Sequence, residues 1–201
     1  MSLIKLFLDG FSRKSIFWKT SILSQYFKNS EKVLDFGCGD LSLSKSLKAA
    51  FPFLQITGVD VIPFPKRPKN IKFIIYDGKT LPFKNNSFDT VIAFYVFHHS
   101  ENAFASFEEC VRVAKYRIIF IESVYRYSFE LPFMKMMDWI YNKVKPESIA
   151  LSYQFFSYGD WIKVFAKHQL RVGSSKKIKQ VFLPSFFPIG ISYVFEVLKK
   201  N

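Results

Sequence analysis

Short apolar runs alternate with segments of helical spacing over the first part of the chain. Five apolar runs predict β-strands at residues 32–36, 54–59, 71–76, 89–94 and 118–121. Between them, apolar residues at helical spacing predict helices at residues 41–50 and 101–114. This alternation is typical of a parallel sheet covered by helices. The sequence therefore predicts an α/β fold.

The remaining segments extend this pattern at both ends. Helices are predicted at residues 16–28, 131–144 and 160–167, and strands at 170–181 and 191–198. Three prolines fall within residues 61–70, so the second and third strands should be joined by a loop without a regular helix.

No repeat or linker divides the chain, and we expect one domain over residues 1–201. Its expected parts are an N-terminal helical segment (1–30), a ligand-binding core (31–123), lid helices (124–169) and final strands (170–201).

Composition narrows the class of protein. The 201 residues are 49% hydrophobic and 22% charged, as in a globular domain. Cys38 and Cys110 are the two cysteines, which excludes a disulfide scaffold, and the sequence predicts no metal site. No uncharged run reaches the length of a spanning helix, and the N-terminal apolar run is too short for a signal peptide. We expect a cytoplasmic protein.

The net charge of +13 raises the question of an anionic partner. Residues 1–100 contribute +7 (14 basic, 7 acidic) and residues 101–201 contribute +6 (15 basic, 9 acidic), so no basic block stands out. Six of the 29 basic residues are arginine, the side chain best suited to phosphate. The composition therefore keeps nucleic acid and an anionic membrane surface open as partners, with less weight than a small molecule. It leaves the oligomeric state open.

A glycine turn after the first strand carries the most specific chemistry. Gly37 and Gly39 let the backbone turn tightly and approach a ligand. Asp60 ends the second strand, where its carboxylate can accept hydrogen bonds from both ribose hydroxyls. Asp35 would repel a pyrophosphate but suits a positively charged ligand, and Ser42 replaces the third residue of the nicotinamide dinucleotide motif. The pattern favours a cationic nucleoside over NAD, so an oxidoreductase is disfavoured.

These residues belong to a series of motifs in a fixed order. The residues concerned are Asp35-Phe36-Gly37-Cys38-Gly39, Asp60, Tyr76-Asp77-Gly78, Leu81-Pro82-Phe83, Ser87-Phe88-Asp89-Thr90-Val91-Ile92 and His98-His99. Together they resemble the class I S-adenosylmethionine-dependent methyltransferases, and most of all the small-molecule "type 11" branch. The resemblance implies a Rossmann-like, mostly parallel seven-stranded sheet with helices on both faces and an antiparallel last strand. It covers about residues 30–199.

The resemblance also implies a cofactor site for S-adenosylmethionine, which would leave as S-adenosylhomocysteine. Asp35 and the backbone of residues 37–39 would hold the methionyl part, Asp60 the ribose hydroxyls, and Val61 would pack on adenine. The implied cofactor-binding residues are Asp35, Gly37, Cys38, Gly39, Asp60, Val61, Asp77, Gly78, Phe94 and Tyr95.

Within that set, Asp77 would accept from the adenine amino group, Gly78 would allow close backbone approach, and Phe94 and Tyr95 would lie near the reactive methyl group. The chain departs from the family at Leu41, where a third glycine is frequent.

His98 follows the fourth strand and is the predicted general base if the acceptor must lose a proton; the alternative is that it packs in the structure. Glu122 likewise has two interpretations, as a site residue or as a structural partner.

Eleven aromatic residues within 125–161 suggest a lid over an apolar or aromatic small-molecule acceptor, or equally an aromatic-rich core. The function predicted is methylation of such an acceptor. The alternatives are an RNA methyltransferase and a non-catalytic S-adenosylmethionine-binding protein.

Overall fold

The alternating pattern folds into one sheet with helices against it. The protein is described as a computed structural model covering residues 3–29, 31–143, 152–178 and 191–199. The strands are β1 (Lys32–Phe36), β2 (Gln55–Asp60), β3 (Lys72–Ile75), β4 (Phe88–Phe94), β5 (Ala114–Tyr125), β6 (Phe156–Ser157), β7 (Arg171–Ile178) and β8 (Ile191–Leu198). The α-helices are α1 (Leu3–Ser24), α2 (Ser42–Ala50), α3 (Ala103–Val113), α4 (Leu131–Lys143) and α5 (Tyr158–Lys167).

The strands are ordered β3-β2-β1-β4-β5-β8-β7, and β6 pairs with the end of β5. Strands β1 to β5 are mutually parallel, whereas β8 runs antiparallel to both of its neighbours. This confirms the predicted α/β class and the antiparallel last strand. The sheet has eight strands instead of seven because the two residues of β6 add a short pairing that no sequence pattern marks.

The boundaries of two elements, β5 and α1, differ from prediction, because charged residues interrupt their apolar pattern in the sequence. β5 extends to both sides of the predicted residues 118–121, and its Arg117 and Glu122 still pair with β8. Helix α1 begins at Leu3, well before predicted residue 16. The loop at residues 61–70 has no helix, as the prolines predict. Predicted helical residue 144 and strand residues 179–181 lie outside the described residues.

Helix starts follow local capping. The Asn102 side chain accepts a hydrogen bond from the Ala105 backbone N–H, 3.0 Å away, and begins α3. Ser157 and Asp160 form a reciprocal capping box at the start of α5. In the part of the chain that the structure describes, no helix is both long and apolar enough to cross a membrane.

Aromatic residues fill the core on the α3 and α5 side of the sheet. Trp161 is fully buried, with ring centroids 5.6 Å from Phe97 and 4.9 Å from Phe120. Phe97 also stacks on Phe36, the last residue of β1, at 5.7 Å. Because Phe97 sits just beyond β4, this packing fixes the loop after β4 against the end of β1. Both belong to the carboxyl edge of the parallel strands, where ligands bind in such sheets.

Candidate functional site

A tight turn leaves β1 at that edge. The backbone N–H groups of Gly37 and Cys38 both donate to the Val59 carbonyl, at 2.9 and 3.2 Å. Gly37 and Gly39 adopt φ of +66° and +54°, which L-residues with side chains rarely adopt. A Cβ atom at Gly37 would lie 2.5 Å from both methyl groups of Val96. The turn therefore requires glycine and lies directly against the loop after β4.

Asp60 lies beside this turn at the end of β2. Its Oδ2 accepts from the Gly39 N–H at 2.8 Å, and its Oδ1 accepts from the Ile62 N–H at 3.0 Å. Burial raises the pKa of Asp60, and the backbone N–H donors oppose that shift. These two hydrogen bonds fix the carboxylate in position, and its role in binding a ribose diol stays a prediction.

Asp35 is the second carboxylate of the turn and is almost completely buried. Ser44, in the first turn of α2, donates its hydroxyl to Asp35 Oδ2 at 2.6 Å. Burial raises the pKa of Asp35 to about 7, although Ser44 and the charge of Lys19 lower it. Ser44 is not among the predicted site residues, because its only signal in the sequence is a serine near the start of a predicted helix.

Cys38 contributes its backbone to the turn and buries its side chain. Burial, with the charge of Asp35, raises the pKa of the Cys38 thiol far above its usual value, which favours the protonated thiol.

Leu41 occupies the position where the family often has glycine. Its φ is +64°, in the left-handed region, which costs roughly 1 kcal/mol or more for a residue with a Cβ. The Leu41 side chain is fully buried and lies where a Cβ atom on Gly58 would otherwise be. Burial of this side chain in the space left by Gly58 offsets the backbone strain, and the turn keeps its shape.

Asp77, Gly78 and Val61 meet at the rim of the same edge. Asp77 Oδ1 accepts from the N–H groups of Thr80 and Lys79, each at 2.9 Å, and these bonds lower the pKa of the exposed carboxyl. Gly78 has φ of +79°, and a Cβ there would come within 3.4 Å of Val61 Cγ1. The half-exposed Val61 therefore offers an apolar surface next to Gly78, and the adenine contact of this pair stays a prediction.

The proline-rich loop supplies a residue that the sequence analysis did not identify. Phe64 is buried, and its ring tip would lie 3.9 Å from a Cβ atom at Gly39. Arg67 holds this loop in place: its guanidinium donates to the Phe64 carbonyl and stacks over Phe73 at 4.4 Å. The loop therefore covers the glycine turn in place of a crossover helix.

Phe94 ends β4 and Tyr95 follows it directly; that they lie near the reactive methyl group stays a prediction. Tyr95 has φ of +58°, and its hydroxyl donates to Ser192 Oγ on β8 at 3.0 Å. Helix α1 places the Lys19 ammonium 5.8 Å from the Phe94 ring and 5.5 Å from the Tyr95 ring. Lys19 is thus a further residue at this end of the site.

His98 is buried in the loop after β4 and held by Glu122. Glu122 Oε1 accepts from the N–H groups of Val96 and Phe97 at 2.9 and 2.8 Å, and its Oε2 lies 2.6 Å from His98 Nδ1. Burial lowers the pKa of His98, but Glu122 and Asp138 outweigh it and raise that pKa to about 9. Glu122 is therefore a structural partner of this loop. A general-base role for His98 stays a prediction.

A separate cleft of about 500 Å³ lies at the opposite, amino edge of the sheet. It is bordered by the ion pair between Arg117 Nη2 and Glu31 Oε1, at 2.7 Å. None of the predicted site residues lines this cleft. The chemistry predicted from the sequence therefore lies at the carboxyl edge, around the glycine turn.

A parallel sheet with a glycine turn held between two carboxylates defines a nucleoside-binding protein of the Rossmann-like type. Comparison with known proteins narrows this class. A family model described as a methyltransferase domain matches residues 34–121. Demethylmenaquinone methyltransferase of Thermotoga maritima is 33% identical over 104 residues, which are 49% of this chain and 45% of that protein. These matches support a class I S-adenosylmethionine-dependent methyltransferase domain over residues 34–121, with S-adenosylmethionine as the cofactor.

Solved structures of methyltransferases have the same fold as this chain. Magnesium protoporphyrin IX methyltransferase from Synechocystis PCC 6803, with bound S-adenosylhomocysteine, has a TM-score of 0.64 at 18% identity, covering 100% of this chain and 89% of that one. A Haloferax volcanii methyltransferase-like protein, solved with the activator Trm112, has a TM-score of 0.71 at 16% identity, covering 94% and 92%. The chain spans less than half the length of the curated relatives it matches.

Proposed function

We propose that this protein is an enzyme that transfers a methyl group from S-adenosylmethionine to a small apolar or aromatic acceptor. The observation that carries the proposal is the pair of carboxylates around the left-handed glycine turn. Asp35 is buried where a ligand ammonium would pair with it, and Asp60 is held in place by the Gly39 N–H at 2.8 Å. The residues present fit the cofactor, because two carboxylates flank the turn and a Cβ at Gly39 would have only the Phe64 ring tip, at 3.9 Å, within van der Waals range.

In this proposal the protein acts mainly by binding and alignment. S-adenosylmethionine supplies a methyl group that its sulfonium already activates for displacement. Asp35 would hold the amino group, Asp60 the ribose hydroxyls, and the rim formed by Val61 and Gly78 the adenine. Tyr95, tied to Ser192, would border the methyl group and limit access of water. Alignment of acceptor and donor in line, with water excluded, then supplies most of the rate.

An apolar acceptor is supported by the surface of the lid. Tyr127 and Phe129 stack on each other at 5.5 Å and are both largely exposed, and Met136, Trp139 and Ile140 on α4 are exposed as well. Exposed apolar side chains grouped on α4 and the turn before it are typical of a binding surface. The relative from Thermotoga maritima is named for demethylmenaquinone, a quinone.

Calorimetric titration with S-adenosylmethionine and S-adenosylhomocysteine tests the cofactor assignment, with NADH as the control nucleotide. We expect one molecule of either sulfur nucleoside per chain and no binding of NADH. Absence of binding at millimolar nucleoside would overturn the proposal.

Affinity for S-adenosylmethionine should rise with pH up to about pH 7. The folded-state pKa of Asp35 is raised to about 7, so below that pH the group is protonated and must lose its proton to pair with an ammonium. The affinity gain is at most about tenfold per pH unit and levels off above pH 7. Titrations at several pH values, in buffers of different ionisation enthalpy, measure the released proton. Asp35→Asn should bind weakly with no such rise, and a flat profile for the unchanged protein would contradict this role.

The acceptor class is tested by a screen with S-adenosylmethionine in excess and S-adenosylhomocysteine as the measured product. We expect turnover with quinone-like and phenolic compounds, and none with small polar amines or short RNA. Turnover confined to RNA would favour the alternative of an RNA methyltransferase. Cofactor binding with no turnover across the screen would favour the non-catalytic alternative.

A further inference from the structure

Two histidines and an aspartate converge beside the predicted acceptor end of the site. Asp138, on α4, has Oδ1 3.8 Å from His98 Nε2 and Oδ2 3.8 Å from His99 Nδ1. The imidazole rings have centroids 4.0 Å apart. One ligand atom from each of the three residues lies within 4.8 Å of the others. The chain therefore brings three metal-ligating groups from two separate elements to one point.

We propose that His98, His99 and Asp138 bind a divalent first-row transition ion of the Zn²⁺ type. Two imidazole nitrogens and one carboxylate oxygen form the ligand set of many such sites, which leave a further coordination position for water or substrate. In tetrahedral zinc sites the ligand atoms are about 3.3 Å apart, as bonds of about 2.0–2.2 Å require. The two 3.8 Å separations end on different oxygens of Asp138, and the three ligand atoms lie within 4.8 Å of one another. Binding of an ion would therefore require side-chain rotation that closes these separations by between about 0.5 and 1.5 Å.

Glu122 fixes the first of these ligands. With Glu122 Oε2 2.6 Å from His98 Nδ1, the other ring nitrogen points to Asp138. A carboxylate that holds the far nitrogen of a histidine is a common support for metal ligands, because it sets the tautomer and the ring orientation. Phe155 stacks on the same ring at 4.9 Å and holds its plane. His98 is therefore oriented as a ligand before any ion arrives.

Burial and charge favour a cation here. The side chains of His98, His99 and Asp138 are only 5%, 17% and 14% exposed. With Glu122, the cluster contains two carboxylates, whose negative charges a proton on His98 balances only in part. A divalent ion would balance them.

A bound ion would join the lid to the catalytic edge. Asp138 belongs to α4, whereas His98 and His99 follow β4 only a few residues after Tyr95. The ion would fix α4 over that edge and offer its open position to an oxygen of the acceptor. This last role rests on the proposed function, whereas binding of the ion itself does not.

Cobalt titration of the full chain, stripped of metal with EDTA, tests the site. Co²⁺ bound by nitrogen and oxygen ligands gives visible absorption bands, and Zn²⁺ added afterwards should displace it. We expect one Co²⁺ per chain and at least about a hundredfold weaker binding in Asp138→Asn and His99→Gln. His168→Gln is the matched control: it removes the third histidine of the chain, whose Nε2 lies 3.1 Å from Glu108, and should leave binding unchanged.

Two results would overturn the metal site. One is the absence of stoichiometric Co²⁺ or Zn²⁺ binding at millimolar ion, which would leave these residues as an ionic contact between lid and loop. The other is binding that survives both ligand substitutions. Titration of each variant with S-adenosylmethionine shows whether it is folded and separates a failure here from a failure of the proposed function.

Discussion

Asp60→Ala is expected to abolish measurable binding of S-adenosylmethionine, with a loss of at least about a hundredfold in affinity. A carboxylate that accepts both ribose hydroxyls contributes two charge-assisted hydrogen bonds, each worth about 1.5–3 kcal/mol, and 1.4 kcal/mol corresponds to a factor of ten. The substitution also removes the acceptor of the Gly39 and Ile62 N–H groups, which fix the glycine turn. Calorimetric titration measures the loss.

Two further variants separate the ribose contacts from general damage. Asp89→Ala removes a carboxylate whose Oδ2 likewise accepts a backbone N–H, from Lys32 at 2.8 Å, but at the amino end of β4. Its affinity should stay within about twofold of the unchanged protein. Asp60→Asn keeps one acceptor oxygen for the turn and should bind with intermediate affinity. Equal affinity of Asp60→Ala and the unchanged protein would remove Asp60 from the cofactor site.

Much of the cofactor edge could be predicted because its causes are local. A strand followed by Gly37 and Gly39 leaves little choice of backbone path, and the parallel sheet then brings the end of β2 next to it. Asp60 was predicted to lie beside this turn, and it accepts the Gly39 N–H. The prolines at residues 61–70 likewise excluded a helix in that connection.

The rest depends on contacts between distant parts of the chain. Asp138 lies 40 residues from His98, on a helix whose rotation is set by packing, so no spacing rule joins the two. Leu41 was noted as a departure from a glycine position, but the buried space beside Gly58 that accommodates it follows only from the folded structure. Phe64 reaches the glycine turn by the path of an irregular loop, which periodicity does not describe. Contacts of this kind follow only from the folded structure.

Glu122→Ala is expected to lower the free energy of unfolding by about 3–5 kcal/mol, the usual cost of removing one partner of a buried charged network. Glu122 is buried, and its carboxylate accepts from the Val96 N–H, the Phe97 N–H and the His98 ring. Alanine leaves all three buried donors without this acceptor, at about 1–3 kcal/mol for each group left unsatisfied. Urea denaturation followed by tryptophan fluorescence measures the change.

The loss of stability should arise in the loop after β4, because the Glu122 carboxylate joins that loop to β5. Glu122→Gln keeps one acceptor oxygen and the side-chain shape, so we expect it to recover about half of the lost free energy of unfolding. Glu101→Ala removes an exposed carboxylate from the same loop and should change the free energy of unfolding by no more than about 0.5 kcal/mol. If Glu122→Ala were as stable as Glu101→Ala, the buried carboxylate would not be what fixes His98, and the loop would owe its position to Phe97 and the aromatic core alone.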